Sequence, residues 1–133
     1  MIRVGAVGAI LDGDKILLML RAKEPAKGFW AIPGGKIEMF ETAEQCLVRE
    51  VKEELDVEVR VTKFLGNIQD INKEKNIHWI MPAFLLNVVS GKIKNLEPEK
   101  HLEIKWEKIK EIDPAKMSYM TNQVLNIIKS EGI

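Results

Sequence analysis

The chain is short of the residues that staple a fold or steer it by charge. A single cysteine, Cys46, in 133 residues excludes an internal disulfide and any cysteine-based zinc knuckle. Two histidines, His78 and His101, share no ligand spacing and read as ordinary polar residues. Charge of one sign is also missing, because 20 Lys and Arg balance 20 Asp and Glu. That balance removes the global electrostatic case for a nucleic-acid polymer or a membrane surface as partner. No apolar run reaches the ~18 residues that a membrane helix needs. Met1-Ile2-Arg3-Val4 carries no secretory pattern, and no Pro/Gly/Ser-rich linker or repeat interrupts the chain. One domain over 1–133, in the cytoplasm, is the expectation.

What is present is a foldable composition, 46% hydrophobic and 30% charged. Apolar runs at Val4–Leu11 and Lys15–Leu20 flank Asp12-Gly13-Asp14, which predicts a β-hairpin. Arg21–Lys27 reads as a loop, and Phe29–Ile32 as a short strand stopped by Pro33-Gly34-Gly35. Ala43, Leu47, Val51 and Leu55 recur every fourth residue and predict a helix over Thr42–Leu55. Val57, Val59 and Val61 alternate as a half-buried strand, and Ile77–Val89 reads as a long strand in which Pro82 marks an edge or a bulge. Leu102, Ile104 and Trp106 alternate again. A last helix is expected over Tyr119–Lys129, with Met120, Val124, Ile127 and Ile128 facing the core. The order predicts an α/β protein with helices packed on a mixed sheet.

The acids are not spread evenly. From Glu38 to Glu58 there are eight acids and two bases, Arg49 and Lys52, a stretch of about −6 in a neutral chain. At ~100° per residue, Glu50, Glu53 and Glu54 share one arc of the helix, and Glu54 falls inside the apolar stripe. Like charges so placed cost a helix about 0.2–0.5 kcal/mol per pair. A divalent cation reverses that sign, and carboxylate oxygens suit Mg²⁺ or Mn²⁺. A solvated acidic face is the competing reading of the helix alone.

The preceding loop decides between them. Gly35, five residues, Glu41, seven residues and Arg49-Glu50-Val51-Lys52-Glu53-Glu54-Leu55-Asp56-Val57 resemble the signature of the Nudix hydrolases. Only the glycine expected at position 56 is absent, replaced by Asp, one of the few other residues that tolerate a left-handed backbone. Leu17–Lys23, Gly28–Glu38 and Asn95–Lys100 with Trp106 look like the flanks of this box in MutT-type members. The resemblance implies a Nudix α/β/α sandwich, a mixed sheet between helices, with the box at 35–57.

It further implies a loop-helix-loop that holds divalent metal and a diphosphate. Carried onto this chain, Glu50 and Glu54 are the expected metal ligands. Glu53 is a third, directly or through water, and the Gly35 carbonyl is a fourth. Arg49, turned from the Glu50/Glu54 arc, is expected to pair with Glu41 and fix the loop. The general base is open between Glu53, taken first, and Glu99 or Glu103. Arg21 and Lys36 are candidates for phosphate contact, and Trp30, Phe40, Trp79 and Phe84 for stacking on a base, although strand aromatics usually serve the core. The expected reaction is Mg²⁺-dependent hydrolysis of a small nucleotide, a nucleoside triphosphate or an oxidised one being cut to monophosphate and pyrophosphate. ADP-ribose, a dinucleoside polyphosphate, or a non-catalytic nucleotide-binding role are the alternatives. A homodimer through an edge strand fits the pattern.

Overall fold

A computed structural model describes residues 1–133. Strands β1 (Arg3–Asp12) and β2 (Lys15–Arg21) form the expected hairpin around Gly13, whose φ of 60° only glycine adopts freely. The hairpin is paired only near its turn, at Leu11↔Ile16 and Asp12↔Lys15. Beyond those pairs the two strands part. Three short elements follow: β3 (Trp30–Ala31), β4 (Gly34–Lys36) and helix α1 (Ala43–Leu55). Then come β5 (Glu58–Asn72), β6 (Ile77–Ser90), β7 (His101–Lys108) and helix α2 (Tyr119–Ser130). The strand order is β3-β2-β1-β6-β5, with β4 on β1 and β7 on β2. β1 runs parallel to β6 and every other pairing is antiparallel, so the sheet is mixed.

β1 is buried on both faces, which is why its sequence is an unbroken apolar run. Ala6 and Ile10 face one side and meet Leu47, Val51 and Leu55 of α1. Val7 and Ala9 face the other and meet Val124, Leu125 and Ile128 of α2. Each fully buried Leu, Ile or Val contributes about 1.5–3 kcal/mol of hydrophobic stabilisation. The two helices thus cover opposite faces of one sheet.

Three expectations need correction. Pro82 is not on an edge, because β6 lies between β1 and β5. The β1–β6 ladder skips from Val4↔Ile80 to Val7↔Ala83, and Pro82, which has no N–H to donate, sits in that gap. In α2 the buried face is Thr121, Val124, Leu125 and Ile128, while Met120 and Ile127 pack only at its rim. Thr121 is buried because its hydroxyl accepts from Ile32 N–H at 3.1 Å, a partner no periodicity reveals. Phe84 is 6% exposed and rests against Phe64, so it serves the core rather than a ligand.

Candidate active site

The loop between β4 and α1 is fixed by charge. Thr42 caps α1, accepting from Gln45 N–H at 3.0 Å, while the Gln45 side chain accepts from Thr42 N–H at 2.9 Å. Arg49 donates twice to Glu41, Nε to Oε2 at 2.7 Å and Nη2 to Oε1 at 2.9 Å. Nη2 also donates to the Lys36 carbonyl at 3.2 Å, and the Glu38 amide donates to Glu41 Oε1 at 3.0 Å. The Arg49 bonds, then that backbone bond, hold the Glu41 carboxyl down at about 2, and the same bonds raise Arg49. Arg49 is not turned from the acidic arc, however, because its Nη1 donates to Glu50 Oε1 at 2.9 Å. Asp56 ends the helix at φ 59°, with its N–H on the Lys52 carbonyl.

Behind this loop lies a polar cleft of about 250 Å³ with no hydrophobic residue in its lining. Glu50 and Glu54 enter it from α1, Gly34 from β4, Arg21 from β2, and Glu97, Lys100 and His101 from the approach to β7. That approach is stitched onto the end of α1. Lys94 N–H donates to the Leu55 carbonyl and Leu96 N–H to the Glu54 carbonyl, both at 2.9 Å. A turn then brings Lys100 and His101 N–H onto the Glu97 carbonyl at 2.9 and 3.0 Å, so Glu97 and His101 face the cleft together.

Glu54 is only 4% exposed. Burial, then the negative charges of Glu50 and Glu97, pushes its carboxyl up to about 8. Its Oε2 lies 3.4 Å from His101 Nε2, and its Oε1 has no partner. Glu50 is also raised, chiefly by burial and against the pull of Arg49. His101 is lowered by burial and by Arg21. Arg21, lowered by burial, is held by a bond from Nε to the Pro25 carbonyl at 2.6 Å.

The remaining expected residues divide by position. Glu53 points outward from α1, half-exposed and 3.4 Å from Arg49 Nη1. Glu99 and Glu103 are exposed and line neither cavity, whereas Glu97, two residues before Glu99, does line the cleft. The Cys46 thiol lies 3.7 Å from the Gly35 carbonyl, and Gly34 lines the cleft. Gly35 is needed for another reason: a Cβ there would stand 2.5 Å from Glu50 Oε1. Phe40 is 98% exposed at φ 70° and lies outside the cleft lining. Trp30 is packed against the α2-side core, with Lys105 Nζ over its ring at 4.2 Å. Cys46 is fully buried, and its thiol is pushed up to about 12 by burial.

Trp79 and Lys36 do line a space. A larger cavity of about 1090 Å³ adjoins the cleft, sharing Arg21, Glu24 and Gly34 with it. Twelve of its 22 lining residues are hydrophobic, among them Phe29, Met81, Met117 and Tyr119 beside Trp79, with Asp70 and Asn72 as polar points. Nothing in the local pattern around Phe29 or Tyr119 marks them as cavity residues, because the cavity joins segments far apart in the chain.

The donor set suits a divalent cation. A buried, unpartnered Glu54 oxygen is costly unless something positive meets it. Glu54, Glu97 and His101 bring one donor atom each to within 4.8 Å of one another, with Glu50 alongside in the same cleft. The room kept at Gly35 lets Glu50 lie flat against the loop.

Residues 1–125 match the family model of the NUDIX domain. The ADP-ribose pyrophosphatase of Methanocaldococcus jannaschii is 38% identical over 99 residues, which cover 74% of this chain and 59% of that protein. The CTP pyrophosphohydrolase of Escherichia coli is 38% identical over 86 residues, covering 61% of this chain and 64% of that protein. The putative nudix hydrolase 1 of Caenorhabditis elegans is 28% identical over 117 residues, covering 88% of this chain and 31% of that protein. The aligned stretches therefore span less than two thirds of each relative. A crystal structure of a MutT NUDIX hydrolase from Burkholderia pseudomallei superposes with a TM-score of 0.91 at 29% identity, covering 96% of this chain and 98% of that one.

Proposed function

The chain belongs to the Nudix family, and from that premise we propose that it is a divalent-metal-dependent pyrophosphatase acting on a nucleoside diphosphate linked to another group. One observation carries the reading. A polar cleft built on a buried, unpartnered carboxylate opens beside a larger apolar cavity, so a nucleotide fits with its phosphates in the first and its base in the second.

Glu50 and Glu54 are the proposed metal ligands, with the Gly35 carbonyl as a further proposed ligand and Gly34 lining the cleft beside them. A bound Mg²⁺ or Mn²⁺ supplies neutralisation of the bridging phosphates and a lowered pKa for coordinated water. Arg21 and Lys100, cations at the cleft wall, meet the phosphate oxygens. Glu97 is the proposed general base, because it lies in the cleft and Glu99 and Glu103 do not. It takes a proton from the attacking water as the P–O–P bridge breaks. Arg49, through Glu41 and Glu50, holds loop and helix in register. Lys36 and Trp79 border the base and its sugar.

For the substrate we propose a nucleoside triphosphate, cut to monophosphate and pyrophosphate, with the whole of 1–133 as one catalytic domain working in the cytoplasm. The relative named for ADP-ribose gives that sugar nucleotide a place as the second reading. Incubation with each nucleotide of a panel and Mg²⁺, with products identified by mass, tests both. Monophosphate plus pyrophosphate supports the first, AMP plus ribose 5-phosphate supports the second, and an untouched panel overturns the enzyme reading.

A further inference from the structure

We propose that His101 is a nitrogen ligand to the cation held by Glu50 and Glu54, so that the cleft prefers a first-row transition ion such as Mn²⁺ or Co²⁺ over Mg²⁺. The inference rests on the metal reading given above and sharpens it. Donor atoms of Glu54, Glu97 and His101 lie within 4.8 Å of one another. Two ligands each ~2.1 Å from one ion stand at most ~4.2 Å apart, and the 3.4 Å between Glu54 Oε2 and His101 Nε2 falls inside that limit. His101 and Glu54 are both at least nine-tenths buried, at 5% and 4% exposure.

The two side chains face one another without satisfying one another. His101 Nε2 stands 3.4 Å from Glu54 Oε2, beyond a good N–H···O bond. Glu54 Oε1 and His101 Nδ1 both lack partners. A buried carboxylate and imidazole left in this state stand at a site made for a third group between them. The backbone prepares the same arrangement. His101 N–H donates to the Glu97 carbonyl at 3.0 Å, its own carbonyl accepts from Asn95 Nδ2 at 2.7 Å, and Leu96 is pinned to Glu54. The imidazole is therefore positioned from both sides. Carboxylates alone suit Mg²⁺, and one imidazole moves the preference toward later ions of the row.

The test loads the intact protein, without nucleotide, with Mn²⁺ and reads ¹⁴N modulation by electron spin echo. We expect a directly bound nitrogen, which disappears in His101→Gln and persists in His78→Gln. Competition titrations should show the Mn²⁺-over-Mg²⁺ preference falling ~10-fold or more in His101→Gln, with Mg²⁺ affinity little changed. Bound Mn²⁺ without nitrogen modulation in the wild type overturns the histidine ligand and leaves the carboxylate site standing. Failure to bind Mn²⁺ at all overturns both. Substituting ¹⁵N-histidine into the unmutated protein must change the modulation, so the result does not depend on a variant folding.

Discussion

Arg49 and Glu41 meet through two parallel hydrogen bonds, at 2.7 and 2.9 Å, across the junction of loop and helix. The same guanidinium reaches Glu50 and the Lys36 carbonyl, so one planar group holds four atoms spread over β4, the loop and α1. Lysine carries the charge but not the fork. Arg49→Lys should lower the melting temperature by several degrees and kcat/KM by ~10-fold or more, and Arg49→Ala should do worse on both. Thermal melts and steady-state rates on the active nucleotide check this. A lysine variant indistinguishable from wild type would show that the fork does not matter.

Glu54 gives the metal-free protein a pH dependence of definite sign. In the fold it keeps its proton to about 8, whereas an unfolded glutamate releases it near ~4.3. Between those values the folded chain binds the extra proton. Its contribution to stability is complete below ~4.3 and is lost as pH rises through about 8. Melts in chelator from pH 5 to 9 should show the wild type losing stability from pH 5 to about 8 and levelling off above it, and Glu54→Gln losing less. Equal slopes for the two proteins would sink the assignment.

Metal should reverse that loss. A cation that binds only the folded cleft stabilises it by mass action, about 2.7 kcal/mol at one hundred times its dissociation constant. Saturating Mn²⁺ at pH 8 should raise the wild-type melting temperature by several degrees and leave Glu54→Gln nearly unmoved. A comparable rise in both proteins would place the ion somewhere else.

Among the other carboxylates, position predicts rank. Glu97→Gln should cut kcat by ~10²-fold with little change in KM, as expected for a general base. Glu53→Gln, whose carboxylate leans on Arg49 outside the cleft, should cost less. Single-turnover rates at saturating metal separate the two. The opposite order would return the base to the helix.

Phe40 offers a test of silence. It stands at φ 70°, is 98% exposed and lines neither the cleft nor the larger cavity. Phe40→Gly relieves ~1–2 kcal/mol of backbone strain and restores up to ~1 kcal/mol of unfolded-state entropy. The melting temperature should hold or rise slightly, and KM should not change. A raised KM would mean that the ring meets substrate after all.

Sequence reading reached some of these features and stopped at others for physical reasons. Helix α1 and its acidic arc follow from local periodicity, and the Arg49–Glu41 spacing is a property of one loop and one helix. Asp56 in a left-handed cap follows from the rarity of residues that accept it. Glu97 and His101 were invisible because their roles depend on hydrogen bonds to Glu54 and Leu55, distant in the chain. Spacing also places Glu54 inside the apolar stripe, where it is buried, but gives no warning that Glu53, its neighbour, leans out toward Arg49. The burial of Thr121 depends likewise on Ile32, on the far side of the sequence.

The bonds from Lys94 to Leu55 and from Leu96 to Glu54 set an order on how the cleft comes into being. The last carbonyls of an α-helix have no partners of their own, and here two of them wait for a segment about forty residues downstream. Between the helix and that segment lie β5 and β6, which pair around the turn at 73–76. A chain emerging from the ribosome as far as Ser90 therefore carries the whole acidic helix but only one wall of the cleft. The cleft is therefore completed by contacts between distant parts of the chain, the kind that form slowly.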